Sequence, residues 1–177
     1  YEEVVLMTAS LARLLRQSIS NEDEVVPLAR EVEYAKGYLT IQKMRYKDKL
    51  EFEIDVEPSI LNIPLIKLVL QPIIENAIYH GLKYKESKGL LQVKGFMKDG
   101  NAVLQVIDNG VGMDEETLSH IYDKHKVNYH SNGVGVYNVQ KRLKLYYGEN
   151  YGITYESEKG VGTTATIIIP GIQEESI

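Results

Sequence analysis

The chain has 177 residues, of which 44% are apolar and 25% charged, with a net charge of −5. That is enough to bury a core, and the acidic balance argues against nucleic acid as the main partner, because a surface that tracks phosphates is basic. There are no cysteines, which excludes disulfides, thiol catalysis and Cys-ligated zinc.

Residues 2–19, EEVVLMTASLARLLRQSI, put Val5, Leu6, Ala9, Ala12 and Leu15 at helical spacing, acids first and arginines last to suit the helix dipole. The chain begins inside this pattern at Tyr1 and reads as a piece of a longer protein. Ser20 to Asp23 breaks the helix. A second helix is predicted from about Pro27, a favoured first-turn residue, through Val32, Ala35 and Leu39 to about Tyr46. The two helices are expected to form an antiparallel hairpin that buries its apolar stripe against a twin. LEFEIDVE, 50–57, alternates apolar and acidic residues and reads as a half-exposed strand. The run IPLIKLVL leads into QPIIENAIYHG and predicts a buried helix over about 64–81. The apolar stretch 60–78 is interrupted by Asn62, Lys67, Gln71, Glu75 and Asn76, so it is not read as a membrane span.

LLQVKGFMKDGNAVLQVID, 90–108, predicts two strands around a turn at 98–101. DNGVGMDEE, 108–116, is a glycine-broken loop, with a short helix over 114–121 and a polar, mobile loop from 122 to 135. GVYNVQKRLKLYYG, 135–148, predicts a helix ended by Gly148. ITYESE, 153–158, and TTATIIIP, 163–170, are strands around the turn at 159–162. The tail is expected to fray. The order predicts an α+β, two-layer sandwich whose mixed sheet is mostly antiparallel, with helices on one face. The expected divisions are a helical segment 1–48, a main domain 49–171 and a tail 172–177.

Three G-x-G pairs follow the apolar helix: Gly110 and Gly112, Gly133 and Gly135, Gly160 and Gly162. Each alone reads first as a tight turn. Gly133 and Gly135 open a helix, where free N–H groups suit a phosphate. Asp108 ends a strand, where its carboxylate can accept a hydrogen bond from an exocyclic amine or close an Asx-turn. On a continuous helical wheel Pro72, Asn76, Tyr79, His80 and Lys83 share one polar stripe. Asn76 offers a neutral oxygen to a hard cation that already carries phosphate, or is a buried amide tying down a loop. Tyr79, His80 and Lys83 would lie near phosphate or the rim, although His80 also suits a helix C-terminus.

ENAIYHG, DNGVGM, GVGVYNVQKRL and GVGTTATI, in that order over about residues 50–170, resemble the N, G1, G2 and G3 boxes of the Bergerat ATP-binding fold. The resemblance implies that Asn76 binds Mg2+, that Asp108 reads the adenine amine and that Gly110 and Gly112 shape the purine pocket. It assigns Gly133 and Gly135 to the phosphate lid, 114–135 to the ATP lid, Thr163 to support of the adenine site, and Gly162 to the ATP-binding set. PLAREVEYAKGYLTIQKMRY, followed by a strand and QPIIENAIYHG, resembles membrane sensor histidine kinases of the lysis-sensor type.

Hydrolysing members of the superfamily carry a water-activating Glu one turn before the metal Asn. Here that position is Pro72, which fits a kinase. Glu75 is either the base for a histidine nucleophile or a helix-face carboxylate. No histidine occurs within 2–46; the four present are His80, His120, His125 and His130. The resemblance therefore implies a phosphoacceptor before Tyr1, and the last three histidines read as a solvated lid. It further implies ATP and Mg2+ as ligands, a cognate response regulator, a homodimeric parent and a cytoplasmic domain whose membrane anchor lies upstream. The alternatives are a serine kinase of the anti-sigma type and a non-catalytic module on the same fold.

Overall fold

A computed structural model describes residues 25–122 and 133–171. The predicted helix over 2–19, its hairpin with the next helix, most of the loop with His125 and His130, and nearly all of the tail lie outside the described residues.

The first described strand, β1 (Val25–Pro27), pairs antiparallel with β3 (Pro64–Ile66). Helix α1 (Leu28–Tyr46) follows Pro27 directly, and its first free N–H groups are satisfied at once: Leu28 donates to the Ile63 carbonyl and Ala29 to that of Leu61, each at 2.9 Å. Strand β2 (Leu50–Val56) runs parallel to β4 (Gly89–Lys98). β4 turns back through Asp99 and Gly100, both at positive φ, into β5 (Asn101–Asp108), the left-handed pair a two-residue hairpin needs. Helix α3 (Glu115–Ser119) is capped by Asp114, whose carboxylate accepts from Thr117 N at 2.9 Å. Helix α4 (Gly133–Tyr147) ends at Gly148, and β6 (Gly152–Glu158) and β7 (Gly162–Pro170) complete the sheet. The five strands lie in the order β2-β4-β5-β7-β6, all neighbours antiparallel except β2 and β4. This is the expected mixed α+β sandwich.

Strand alternation puts Leu91 and Val93, Leu104 and Val106, and Ala165 and Ile167 on the covered face. They pack in one core with Leu28 and Leu39 of α1 and Val139 and Leu143 of α4. The other face of the sheet carries Gln92, Lys94, Gln105 and Thr166, all half-buried.

The helix predicted over 64–81 starts later. Residues 64–66 form β3, held by the Tyr147 hydroxyl, which accepts from Ile66 N at 3.1 Å and donates to the Pro64 carbonyl at 3.3 Å. Leu68 then turns the chain at φ 60°, and α2 runs only over Leu70–Asn76 before continuing as a π-helical turn over Ala77–Leu82. An apolar run buried on all sides has no period that separates strand from helix. The boundary is set by contacts from distant residues instead. Smaller differences are the start of α4 at Gly133 rather than 135 and the shorter α3.

Candidate functional site

Between α2 and the covered face of the sheet lies a cavity of about 700 Å³, within the usual range for a small-molecule site. Asn76, His80 and Gly81 come from the helical wall, Asp108 from the end of β5, and Thr163 and Tyr155 from the paired strands β7 and β6. Met113, Thr117 and His120 close it from the α3 side.

Asp108 is 5% exposed. Its alternation with Leu104 and Val106 turns the carboxylate inward at the strand end. Oδ1 accepts from Gly110 N at 2.8 Å, the side-chain-to-backbone turn that sequence reasoning left open. Burial pushes its pKa up to about 6, against the pull of the Gly110 and Thr163 N–H groups and of Lys85. Lys85 also donates to the Asn109 carbonyl.

The glycines explain how helix and loop come so close. A Cβ on Gly81 would lie 2.7 Å from Asp108 Oδ1, and one on Gly110 would lie 2.3 Å from the Gly81 carbonyl carbon. Val111 N donates to Gly81 O at 3.0 Å and Gly160 N to Val111 O at 2.7 Å. Gly112, at φ 64°, leaves no room for a side chain beside Glu158 O. Ser157 Oγ accepts from Met113 N at 2.8 Å, donates to Gly162 O at 3.0 Å and lies 2.8 Å from Thr163 Oγ1. The glycine loop is thus stitched to the β6–β7 hairpin.

Asn76 lines the same cavity. Its Oδ1 is buried with no hydrogen-bond partner, and so is the Tyr155 hydroxyl. Burial, then the neighbouring Tyr122, holds the Tyr155 pKa far above the ordinary phenol value, against the pull of the Asn76 side chain. A buried oxygen without a partner costs free energy unless a ligand or water satisfies it. The chemistry fits a hard cation, which takes neutral oxygen donors and fills its shell with phosphate and water.

The predicted polar stripe does not stay together. His80 borders the main cavity, but Tyr79 and Lys83 line a separate depression of about 370 Å³ with Tyr38, Gln42 and Glu75, and His80 touches both. The π turn takes more residues than an α turn, so positions beyond it rotate away from the wheel. Lys83 Nζ lies 6.0 Å from the Tyr79 ring and 5.6 Å from the Tyr84 ring. Burial, then Lys83, lowers the His80 pKa. Glu75 accepts from Gln71 Nε2 at 2.9 Å and faces this side. Gly133 and Gly135 form the first turn of α4, where Gly135 meets Pro72 across a smaller cleft. His120, expected to be solvated, borders the main cavity.

Sequence reasoning missed Tyr155, although its alternation with Ile153 was the available signal. It also missed Glu31, a buried carboxylate on α1 that bonds to the turn before α2. No local pattern signals a partner 38 residues away.

Comparison with known proteins identifies the family and the fold. Residues 62–173 match the profile described as histidine kinase-, DNA gyrase B-, and HSP90-like ATPase, and residues 1–50 match the histidine kinase profile. The sensor histidine kinase YesM of Bacillus subtilis (strain 168) is 31% identical over 169 residues, 96% of this chain and 28% of YesM. The sensor protein LytS of Oceanobacillus iheyensis is 34% identical over 143 residues, 79% of this chain and 24% of LytS. The chain therefore spans about a quarter of the length of these curated relatives. The catalytic domain of histidine kinase ThkA superposes with a TM-score of 0.64 at 14% identity, covering 84% of this chain and 98% of ThkA's.

Proposed function

The chain belongs to the histidine kinase-, DNA gyrase B- and HSP90-like ATPase family and is the ATP-binding catalytic domain of a two-component sensor histidine kinase; from that premise we propose how its residues hold Mg·ATP and hand on the γ-phosphate. The observation that carries the reading is the pair of buried polar groups that line one cavity: the unpartnered Asn76 Oδ1 and the Asp108 carboxylate.

Asp108 accepts a hydrogen bond from the adenine amine while Gly110 N fixes its orientation. Thr163, tied to Ser157, supports the same end. Gly81, Gly110 and Gly112 let the helix, the loop and the β6–β7 hairpin approach closely enough to hold Asp108 at the wall of the purine space. At the other end Asn76 holds magnesium. Held there by the Asn76 oxygen, the cation would supply positive charge to offset the negative charge of the phosphates during transfer. His80 borders the phosphates; Tyr79 and Lys83 line the adjoining depression at the rim. The first turn of α4, Gly133 to Gly135, offers N–H groups to the phosphate chain.

The acceptor is a histidine carried elsewhere in the parent protein, since residues 2–46 contain none. Glu75, facing the depression beside the nucleotide cavity, takes the proton of the attacking imidazole. Pro72, one turn before Asn76, cannot activate water, which favours transfer over hydrolysis. The parent protein works as a homodimer, anchored to a membrane through other segments, and passes its phosphoryl group to a cognate response regulator. No helix among the described residues is long and apolar enough to cross a membrane itself.

Calorimetric titration with ATP, with magnesium and then with a chelator, tests the reading. Saturable binding that tightens with magnesium is expected. No heat and no thermal shift with either would overturn it.

A further inference from the structure

The helix that carries Asn76 starts at a turn whose backbone is held by side chains from two distant elements. Glu31, on α1, is 1% exposed. Its Oε1 accepts from Leu68 N at 3.0 Å, and its Oε2 from Val69 N at 2.9 Å and Leu70 N at 3.1 Å. From the other side Arg142, on α4, donates to the Lys67 carbonyl at 2.7 Å. These are the N–H groups that a starting helix leaves without partners. Hydrogen bonds from N–H groups to a carboxylate are the stronger kind. They also offset the cost of burying the carboxylate. They hold a turn in which Leu68 sits at φ 60°, a conformation that leucine rarely adopts.

The helical segment 70–82 is therefore pinned at both ends, but by different parts of the molecule. Its far end, in the π-helical turn, is held by the bond from Val111 N, in the glycine loop, to Gly81 O. Its near end is held by α1 and α4. Asn76 lies between the two anchors, as the last residue of the seven-residue α2. Asp108 depends on neither Glu31 nor the turn, because its place is set by the β5–β7 register and by Gly110.

We propose that Glu31 is a positioning residue for the cation end of the nucleotide site: by docking α1 onto the turn 67–70 it fixes Asn76, so the magnesium-dependent part of ATP affinity requires α1 to stay docked. The proposal rests on the reading that Asn76 holds the cation. A role confined to stability lowers the melting temperature and weakens ATP equally with and without metal. A positioning role does not.

In the 177-residue chain, ATP affinity is measured by calorimetry for wild type, Glu31→Gln and Glu31→Ala, with magnesium and with a chelator. Glu31→Gln keeps the shape but turns an NH2 toward N–H donors. It is expected to lose about tenfold in affinity with magnesium and to stay within about twofold of wild type with chelator. Magnesium-supported affinity within twofold of wild type, or equal losses in both conditions, overturns the proposal. No ATP binding by wild type sinks the nucleotide reading and this proposal with it; normal wild-type binding with an unaltered Glu31→Gln sinks this proposal alone. A second measurement needs no variant. Coupling is reciprocal, so Mg·ATP slows amide hydrogen exchange at Leu68, Val69 and Leu70 in wild type. Unchanged exchange at those amides overturns the proposal even if both variants fail to fold.

Discussion

The polar groups around Asp108 and those around Asn76 are built on opposite plans. At the Asp108 end the protein satisfies its own polar groups: Gly110 N meets the carboxylate, Ser157 links Met113 and Gly162, and Val111 reaches Gly81. At the Asn76 end two buried oxygens, Asn76 Oδ1 and the Tyr155 hydroxyl, have no partner. One end is finished before a ligand arrives; the other is completed by it. A preformed end suits recognition of a constant ring, whereas an unfinished end suits a metal and phosphates that change during reaction.

The sharpest way to break this contrast is Gly110→Ala. The added carbon would lie 2.3–2.5 Å from backbone atoms of Gly81, which cannot swing aside like a side chain. A loss of about 3 kcal/mol or more is expected by urea denaturation, and ATP binding falls with it.

Asp108→Asn separates recognition from stability. The amide turns a donor toward the adenine amine, and a hundredfold weaker ATP affinity is expected by calorimetry, on the order of what a site loses when its polar contact fails. Because burial holds the Asp108 pKa near 6 rather than 3.8, the variant without ligand should be more stable at pH 7 by about 2 kcal/mol in thermal melts.

Asn76→Ala probes the unfinished end. Affinity with magnesium should drop about tenfold or more, while stability without ligand changes by less than about 1.5 kcal/mol, since the lost oxygen made no bond.

The smallest effect is on pH. A carboxyl whose pKa is raised on folding stabilises the fold below its unfolded value, and that contribution is lost as pH rises through about 6. Adenine requires the ionised form, so ATP affinity should fall severalfold from pH 7 to pH 5. A flat profile in binding titrations would remove Asp108 from the contact.

The strands were legible because alternation is local: LEFEIDVE, the Asp99–Gly100 turn and the β6–β7 hairpin each carry their own pattern. Asp108, Asn76 and the glycine pairs were legible as residue types in order. The start of α2 was not. Leu68 takes its unusual φ because Glu31, 37 residues earlier, accepts its N–H, and nothing between 60 and 70 encodes that. The division of the polar stripe was also hidden, because a wheel assumes one helical period and Ala77–Leu82 follow another. Tyr155 was overlooked although it alternates with Ile153, because a tyrosine in a strand is ordinary until a cavity is seen beside it.

Among the described residues the sheet ends at two margins, β2 and β6, each with backbone groups that another copy could pair with. Both carry carboxylates at alternate positions: Glu51, Glu53 and Asp55 on β2, Glu156 and Glu158 on β6. Lys43 and Lys88 meet Glu51, yet the rest of each row stays acidic. Two molecules approaching margin to margin would bring like charges into register, so this decoration disfavours edge-to-edge stacking.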